Sequence, residues 1–285
     1  MRLLAVLAVA TVHVGPQPTA LAYGAGSLWS ANSGGSSVTR VDAAHARVVA
    51  TIRVGIAPSS IAFAAGSVWV GDFTENSVFR IDPRKNAVVA RIPIDSQVGG
   101  LHAGSDGSVW VSEYNAGTVI RIDPATNAPT LRVRVGGHAE AIAEAGGLVW
   151  VSNADGYVSA IDPRKAAVVG PTVSLAHDVN ALTATRDGLW VTTYDRGMIA
   201  LVDPRKRRIV RRTTLGGRAG GVTATGGVLW VSDYTHARIV RFDRSSLAPE
   251  GSRATGRRPR QIVRVGDALW VVDEGSDSLT RIPLP

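Results

Sequence analysis

The chain of 285 residues contains no cysteine. That excludes a disulfide framework, thiolate metal sites and thiol nucleophiles together. Methionine and phenylalanine are scarce, with two and four residues. No apolar run reaches the ~18 residues of a membrane-spanning helix. There is no G-x-G-x-x-G run, no G-K-[ST] phosphate loop, no H-E-x-x-H zinc motif and no G-x-S-x-G elbow. Acidic residues are also in deficit, 23 against 31 Lys and Arg, for a net charge of +8. Much of the excess is local, at Arg205 to Arg208, Arg211, Arg212, Arg257, Arg258 and Arg260. Such a balance fits either solvated strand edges that resist aggregation or an anionic surface as a partner, the latter expected on the rim formed by Arg84, Lys85, Arg164, Lys165 and Arg205 to Arg208. No stacking aromatic or groove-reading element stands beside the basic runs, so nucleic acid is not the expected partner.

What is present is a period. Tryptophan occurs at positions 29, 69, 110, 150, 190, 230 and 270 and nowhere else. Spacing of about 40 residues marks a repeat architecture. The unit is clearest from Gly66, through Ser67, Val68, Trp69, Val70, Gly71 and Asp72, to Val78, Phe79, Arg80, Ile81, Asp82 and Pro83. A glycine precedes tryptophan by 14 residues at Gly15, Gly55, Gly136, Gly216 and Gly256, where a turn with positive φ is expected. An Asp follows by 12 or 13, and Pro comes next at Asp82, Asp123, Asp162 and Asp203. That pair is a turn signal: the carboxylate bonds local amides and proline presets the next φ.

Four short strands per unit, joined by tight turns, describe a propeller blade. The expected fold is all-β: a seven-bladed β-propeller of four-stranded blades, one domain over 1–285. The seventh copy stops after its third strand. Residues 8–15 match positions 40 later, since Ala10, Thr11, Val12 and Gly15 recur as Ala50, Thr51, Ile52 and Gly55. This strand is expected to complete the last blade and close the ring. Residues 1–7 read as the remnant of a signal or anchor, which favours a secreted or cell-envelope location. A monomer is expected.

The units, with Pro58, Ser59, Ser60, Ile61, Ala62, then Gly66 to Val70 and Val78 to Pro83, resemble YVTN/NHL-type propellers. Within that set the chain is similar to the virginiamycin B lyase (streptogramin lyase) family of bacteria. The resemblance covers the whole chain and implies the fold. It also implies a catalytic histidine at the inner-strand entry of a late blade and a glutamate after the facing tryptophan strand. The matching positions here are Arg260 and the pair Asp273 and Glu274. No blade has histidine at that entry. His138 lies two residues before the fourth blade's entry, with Glu140 and Asn153 near it, and His138 and Glu140 are the candidates for acid–base work. His102 and His177 read as structural.

Candidate site residues gather on the face where the blade joins meet, called the top. Three after tryptophan stand Asn32, Asp72, Glu113, Asn153, Thr193, Asp233 and Asp273. At the inner-strand entry stand Thr19, Ser59, Gly99, Glu140, Asn180, Gly220 and Arg260. Four after tryptophan, aromatics recur at Phe73, Tyr114, Tyr194 and Tyr234. The expected ligand set is Asp72, Glu113, Tyr114, Glu140, Asn153, Asn180, Tyr194, Asp233, Tyr234, Arg260, Asp273 and Glu274. Asp72, Glu113, Asp233 and Asp273 are the oxygen ligands that Mg²⁺ or Ca²⁺ would use, if three of them converge. The opposite face carries Arg84, Lys85, Arg164, Lys165 and Arg205 to Arg208 after the Asp turns. The resulting reading is a binding or sensing module for a small polar ligand or a protein. The alternative is a lyase or hydrolase of the streptogramin-lyase type on the same face.

Overall fold

The computed structural model describes residues 9–175 and 178–284, which form seven antiparallel sheets. Blades 1 to 6 span 18–53, 58–93, 98–134, 139–174, 179–214 and 219–254. In each, the strands pair in chain order from the inner edge outward. Blade 7 takes three strands from 259–283, and its outer strand is Ala10–His13. The register runs Ala10 with Arg281, Thr11 with Thr280, Val12 with Leu279 and His13 with Ser278. The expected closure is therefore present over its described part; residues 1–8 and His177 lie outside the described residues. Blade 4 departs from the pattern. Its outer strand is two short pieces, Ala167–Val168 and Val173–Ser174. Gly170 at φ 68 and Pro171, which has no amide hydrogen to donate, separate them.

The tryptophans explain why the blades stack. Each is 0–4% exposed and packs on the next blade around the ring. Trp29 lies against Ile61, Val68 and Val70, Trp150 against Val179, Leu189 and Val191, and Trp270 against Leu21 and Leu28. Seven apolar clusters, one per interface, thus replace a single central core. The indole nitrogens of Trp29, Trp69 and Trp150 each donate to a carbonyl of their own blade at 3.1 Å, while those of Trp110 and Trp190 are buried without a partner. Arginine eleven residues on covers the ring: Arg40 and Arg80 each sit 5.0 Å from their tryptophan's centroid. Arg40 Nη1 donates to Pro83 O and Asn86 Oδ1 of the next blade at 2.7 and 2.8 Å, and Arg80 repeats this with Pro124 and Asn127. This staple combines cation–π contact with hydrogen bonds and ties one blade's core to its neighbour's turn.

The Asp turns form as expected. Asp82 Oδ1 accepts from Arg84 N at 2.8 Å, and Asp203 Oδ1 accepts from Arg205 N and Lys206 N at 2.8 and 3.0 Å. The glycines before the inner strands divide by cause. Gly55 has φ 54 and Gly136 φ 79, as expected. Gly15 and Gly256 do not; there a Cβ would come within 2.7 Å of Asn32 and Asp273, so space requires glycine.

One irregularity positions the site. Every inner strand carries an extra residue near its start. Pro18 pairs with Asn32 while Ala20 pairs with Ala31, and Ala139 pairs with Asn153 while Ile142 pairs with Val151. The same shift occurs in the other five blades. A bulge breaks the alternation of faces and re-aims a side chain.

Candidate functional site

The bulges surround a cavity of about 630 Å³ on the ring axis. All seven entry residues line it: Thr19, Ser59, Gly99, Glu140, Asn180, Gly220 and Arg260. Phe73, Tyr114, Tyr194 and Tyr234 form its upper wall. Of the expected ligand set, Tyr114, Glu140, Asn180, Tyr194, Tyr234 and Arg260 are therefore brought together. Asp178 and Gln261 also line the cavity and were not expected. Asp178 sits in the join before blade 5, just outside the repeat position, and Gln261 stands where other blades have Ala, Ser or Gly.

Glu140 and Arg260 lie three blades apart on this ring, and the same device positions both. Ser112 Oγ donates to the Glu140 carbonyl, and Ser232 Oγ donates to the Arg260 carbonyl. In each case the preceding blade presents two glycines, Gly99 and Gly100 or Gly220 and Gly221. A Cβ on Gly100 would come within 2.5 Å of Glu140 O, and one on Gly221 within 2.8 Å of Arg260 O. The diglycines let the next inner strand close up until the serine reaches it. Asn180 is held through its side-chain amide: Nδ2 donates to Ala219 O at 3.2 Å, and the Thr192 hydroxyl beside it donates to Gly220 O at 2.8 Å.

The charges are segregated. Arg260 Nε donates to Glu274 Oε2 at 2.6 Å, and Tyr234 Oη donates to the same oxygen at 3.1 Å. The guanidinium also lies 5.7 Å from the Tyr234 centroid. Burial works against the charge on Arg260, but Glu274 holds its pKa above the ordinary value. Burial pushes the Tyr234 hydroxyl up to about 12, aided by Tyr194 and Glu274. On the other side, burial raises Glu140 to about 7; the Asp178 carboxyl adds to the rise and Arg260 opposes it. Asp178 is itself raised, by burial and then by Asp195. Among the described residues, neither Glu140 nor Asp178 has a salt-bridge partner.

The residues three after tryptophan do something else. The axial ring expected from Asp72, Glu113, Asn153, Asp233 and Asp273 is not formed, because none of them lines the cavity. All are 0–2% exposed and bind their own blade. Asp72 accepts from the amides of Ile56, Ala57, Thr74 and Glu75 at 2.7–2.9 Å. Glu113 is engaged by Thr118 and Arg132, Asp233 by His236 and Arg238, and Asn153 by Gly136 and Tyr157. Asp273 Oδ2 accepts from Thr280 while Oδ1 is buried without a partner, and burial pushes this carboxyl up to about 6. Among the described residues, no three His, Asp or Glu side chains are arranged to hold a metal ion. The second strand lies one strand spacing, roughly 4.8 Å, farther from the axis. Its end meets the join loop and not the channel.

His138 is also off the cavity wall. Its ring lies 4.8 Å from Tyr114 and its Nδ1 is 3.2 Å from Asp155. Its partner candidate Glu140 is inside. His102 is half-buried within blade 3, and desolvation lowers its pKa.

The class these features define is a seven-bladed β-propeller with an axial cavity. No protein-family model matches the chain, and no curated protein matches its sequence. Among solved structures, virginiamycin B lyase from Staphylococcus aureus is similar, with a TM-score of 0.84 over 98% of this chain and 99% of that one at 15% identity. A catalytically inactive form of that lyase with quinupristin gives 0.85 over 98% and 99% at 16% identity. Hydrazine synthase of Kuenenia stuttgartiensis gives 0.80 over 94% and 96% at 17% identity. At such identities the likeness shows the fold alone.

Proposed function

We propose that the axial cavity binds a small polar ligand bearing a cationic or strongly donating group at one end and an accepting or anionic group at the other. The observation that carries this is the pair Glu140 and Arg260, set on opposed blades of one cavity with both backbones pinned by a serine. Glu140 and Asp178 receive the donor end. Asn180 and the guanidinium of Arg260 receive the other, with Tyr114, Tyr194 and Tyr234 giving flat contact. Glu274 already partners Arg260, so the cation is oriented before a ligand arrives. A binding or sensing module is the reading this favours.

Ligand-observed NMR tests it with a panel of zwitterionic, cationic, anionic and neutral small molecules. Zwitterions and cations should bind best, and Glu140→Gln should weaken them by about tenfold, the value of a charge-assisted contact. Equal binding across the panel, unchanged by Glu140→Gln, would contradict the reading.

One observation favours an enzymatic second reading. A carboxyl raised to about 7 can give and take a proton at neutral pH. The lyase resemblance implies histidine where this chain has Arg260, which cannot act as a base there. Any chemistry would then run through Glu140. Consumption of quinupristin by the protein with Mg²⁺, lost in Glu140→Gln but kept in His138→Ala, would move the conclusion to this reading.

A further inference from the structure

A second cavity, of about 510 Å³, opens on the top rim between blades 6 and 7. Its lining is Arg218, Arg257 and Arg258 with Tyr234, Thr235 and Ala237. We infer that this groove is a binding site for a tetrahedral oxyanion, the phosphoryl or sulfuryl group of a larger ligand, divided from the axial cavity by Tyr234, which lines both.

The charge balance is the first argument. Three guanidinium groups line one groove, and the nearby carboxylates are engaged elsewhere. Glu274 holds Arg260 and Tyr234, and Asp233 holds His236 and Arg238. Asp195 reaches only to 3.9 Å from Arg218. Among the described residues, Arg257 and Arg258 have no carboxylate within ion-pair distance. Like charges gathered in this way repel one another, and a dianion with several acceptor oxygens relieves that while matching the guanidinium fork.

The backbone is the second argument. Arg257 N donates to Ser276 Oγ at 2.8 Å, and Arg257 O accepts from Gly275 N at 3.0 Å. Arg258 O accepts from Glu274 N at 3.2 Å, and Arg218 N donates to Thr235 Oγ1 at 3.0 Å. Arg258 is in the left-handed region at φ 55, where glycine costs least. The equivalent join of blade 1 has the same shape, with Gln17 at φ 49, so the fold asks for the conformation but not for arginine. No other join carries two adjacent arginines: the counterparts include Pro16 and Gln17, Ile56 and Ala57, and Gly137 and His138. Arg218 is further steadied over Tyr194, 5.4 Å from the ring centroid.

The test is calorimetric titration of the full chain at low ionic strength with inorganic phosphate, sulfate and, as a monovalent comparator, acetate. The variants are Arg257→Gln/Arg258→Gly, which keeps the left-handed join, and Arg84→Gln/Lys85→Gln on the opposite face. Thermal melting by tryptophan fluorescence confirms that each is folded. Phosphate and sulfate should bind saturably to the wild type, more tightly than acetate. The rim variant should lose about tenfold or more, and the opposite-face variant less than about twofold. Phosphate binding that strengthens from pH 5 to 7 while sulfate stays level favours the doubly ionised phosphoryl group, whose second pKa is about 6. The reverse preference identifies a sulfuryl ligand, and both stay within the proposal. No saturable binding by the wild type, binding retained in the rim variant, or equal loss in both variants would overturn it.

Discussion

Trp150 shows what one residue contributes. It is fully buried, packs between blades 4 and 5, and its indole nitrogen donates to Ala145 O at 3.1 Å. Trp150→Ala is expected to cost ~3–5 kcal/mol, the usual range for a buried aromatic. Urea unfolding measures this, and a loss under ~1 kcal/mol would place the side chain outside the inter-blade core. Glu140 makes the opposite kind of contribution. Its folded pKa, about 7, lies above the ordinary 4.5, so the folded chain holds the proton more tightly. Its contribution is therefore full below about pH 4.5 and is lost as pH rises through about 7. Asp273, raised to about 6 from 3.8, has the same sign over a lower window. Between pH 5 and 8 Glu140 should lower the unfolding free energy by on the order of 2 kcal/mol, against an opposing rise from His102, whose pKa is lowered. Glu140→Gln should flatten that part of the slope, and an unchanged slope would show that the carboxyl is not held as described. Arg260 and Asp178, which face it, remain in both proteins.

At the scale of elements, bulges and glycines do the positioning. The bulge turns the entry residue of each inner strand toward the axis, and the diglycines of blades 3 and 6 admit the strands bearing Glu140 and Arg260. Gly100→Ala should push against the Glu140 carbonyl, cost ~1–3 kcal/mol by overpacking, and weaken axial ligand binding more than Gly227→Ala, whose Cβ meets nothing. The Ala10–His13 strand is the other decisive element. Removing residues 1–15 exposes the edge of Ser278–Pro283, and a lower melting temperature with light scattering on heating is expected. Blade number, strand order and this closure were legible in the sequence because the tryptophan period and the Asp turns are local signals repeated seven times. The entry ring was legible for the same reason. The acidic residues after the tryptophan strand misled, since sequence spacing reports how far along a strand a residue lies but not how far its strand stands from the axis. Asp178 was missed because joins carry no repeat pattern, and the arginine staples because their partners belong to the next blade.

Across the whole molecule, the axial cavity is lined unevenly. Glu140 and Asp178 stand on the side of blades 4 and 5, while Arg260, paired with Glu274, stands on blade 7 beside the rim arginines Arg218, Arg257 and Arg258. The low-dielectric wall of the channel concentrates the field between them. A ligand with separated charges would be steered and oriented by that field, and salt should weaken its association. The most direct test of the central claim is a crystallographic fragment screen with charged and neutral fragments. The account predicts that occupied sites concentrate in the axial cavity, with polar groups against Glu140, Asn180 or Arg260. Fragments found only in outer grooves or on the opposite basic face, with the axial cavity empty across the screen, would contradict it.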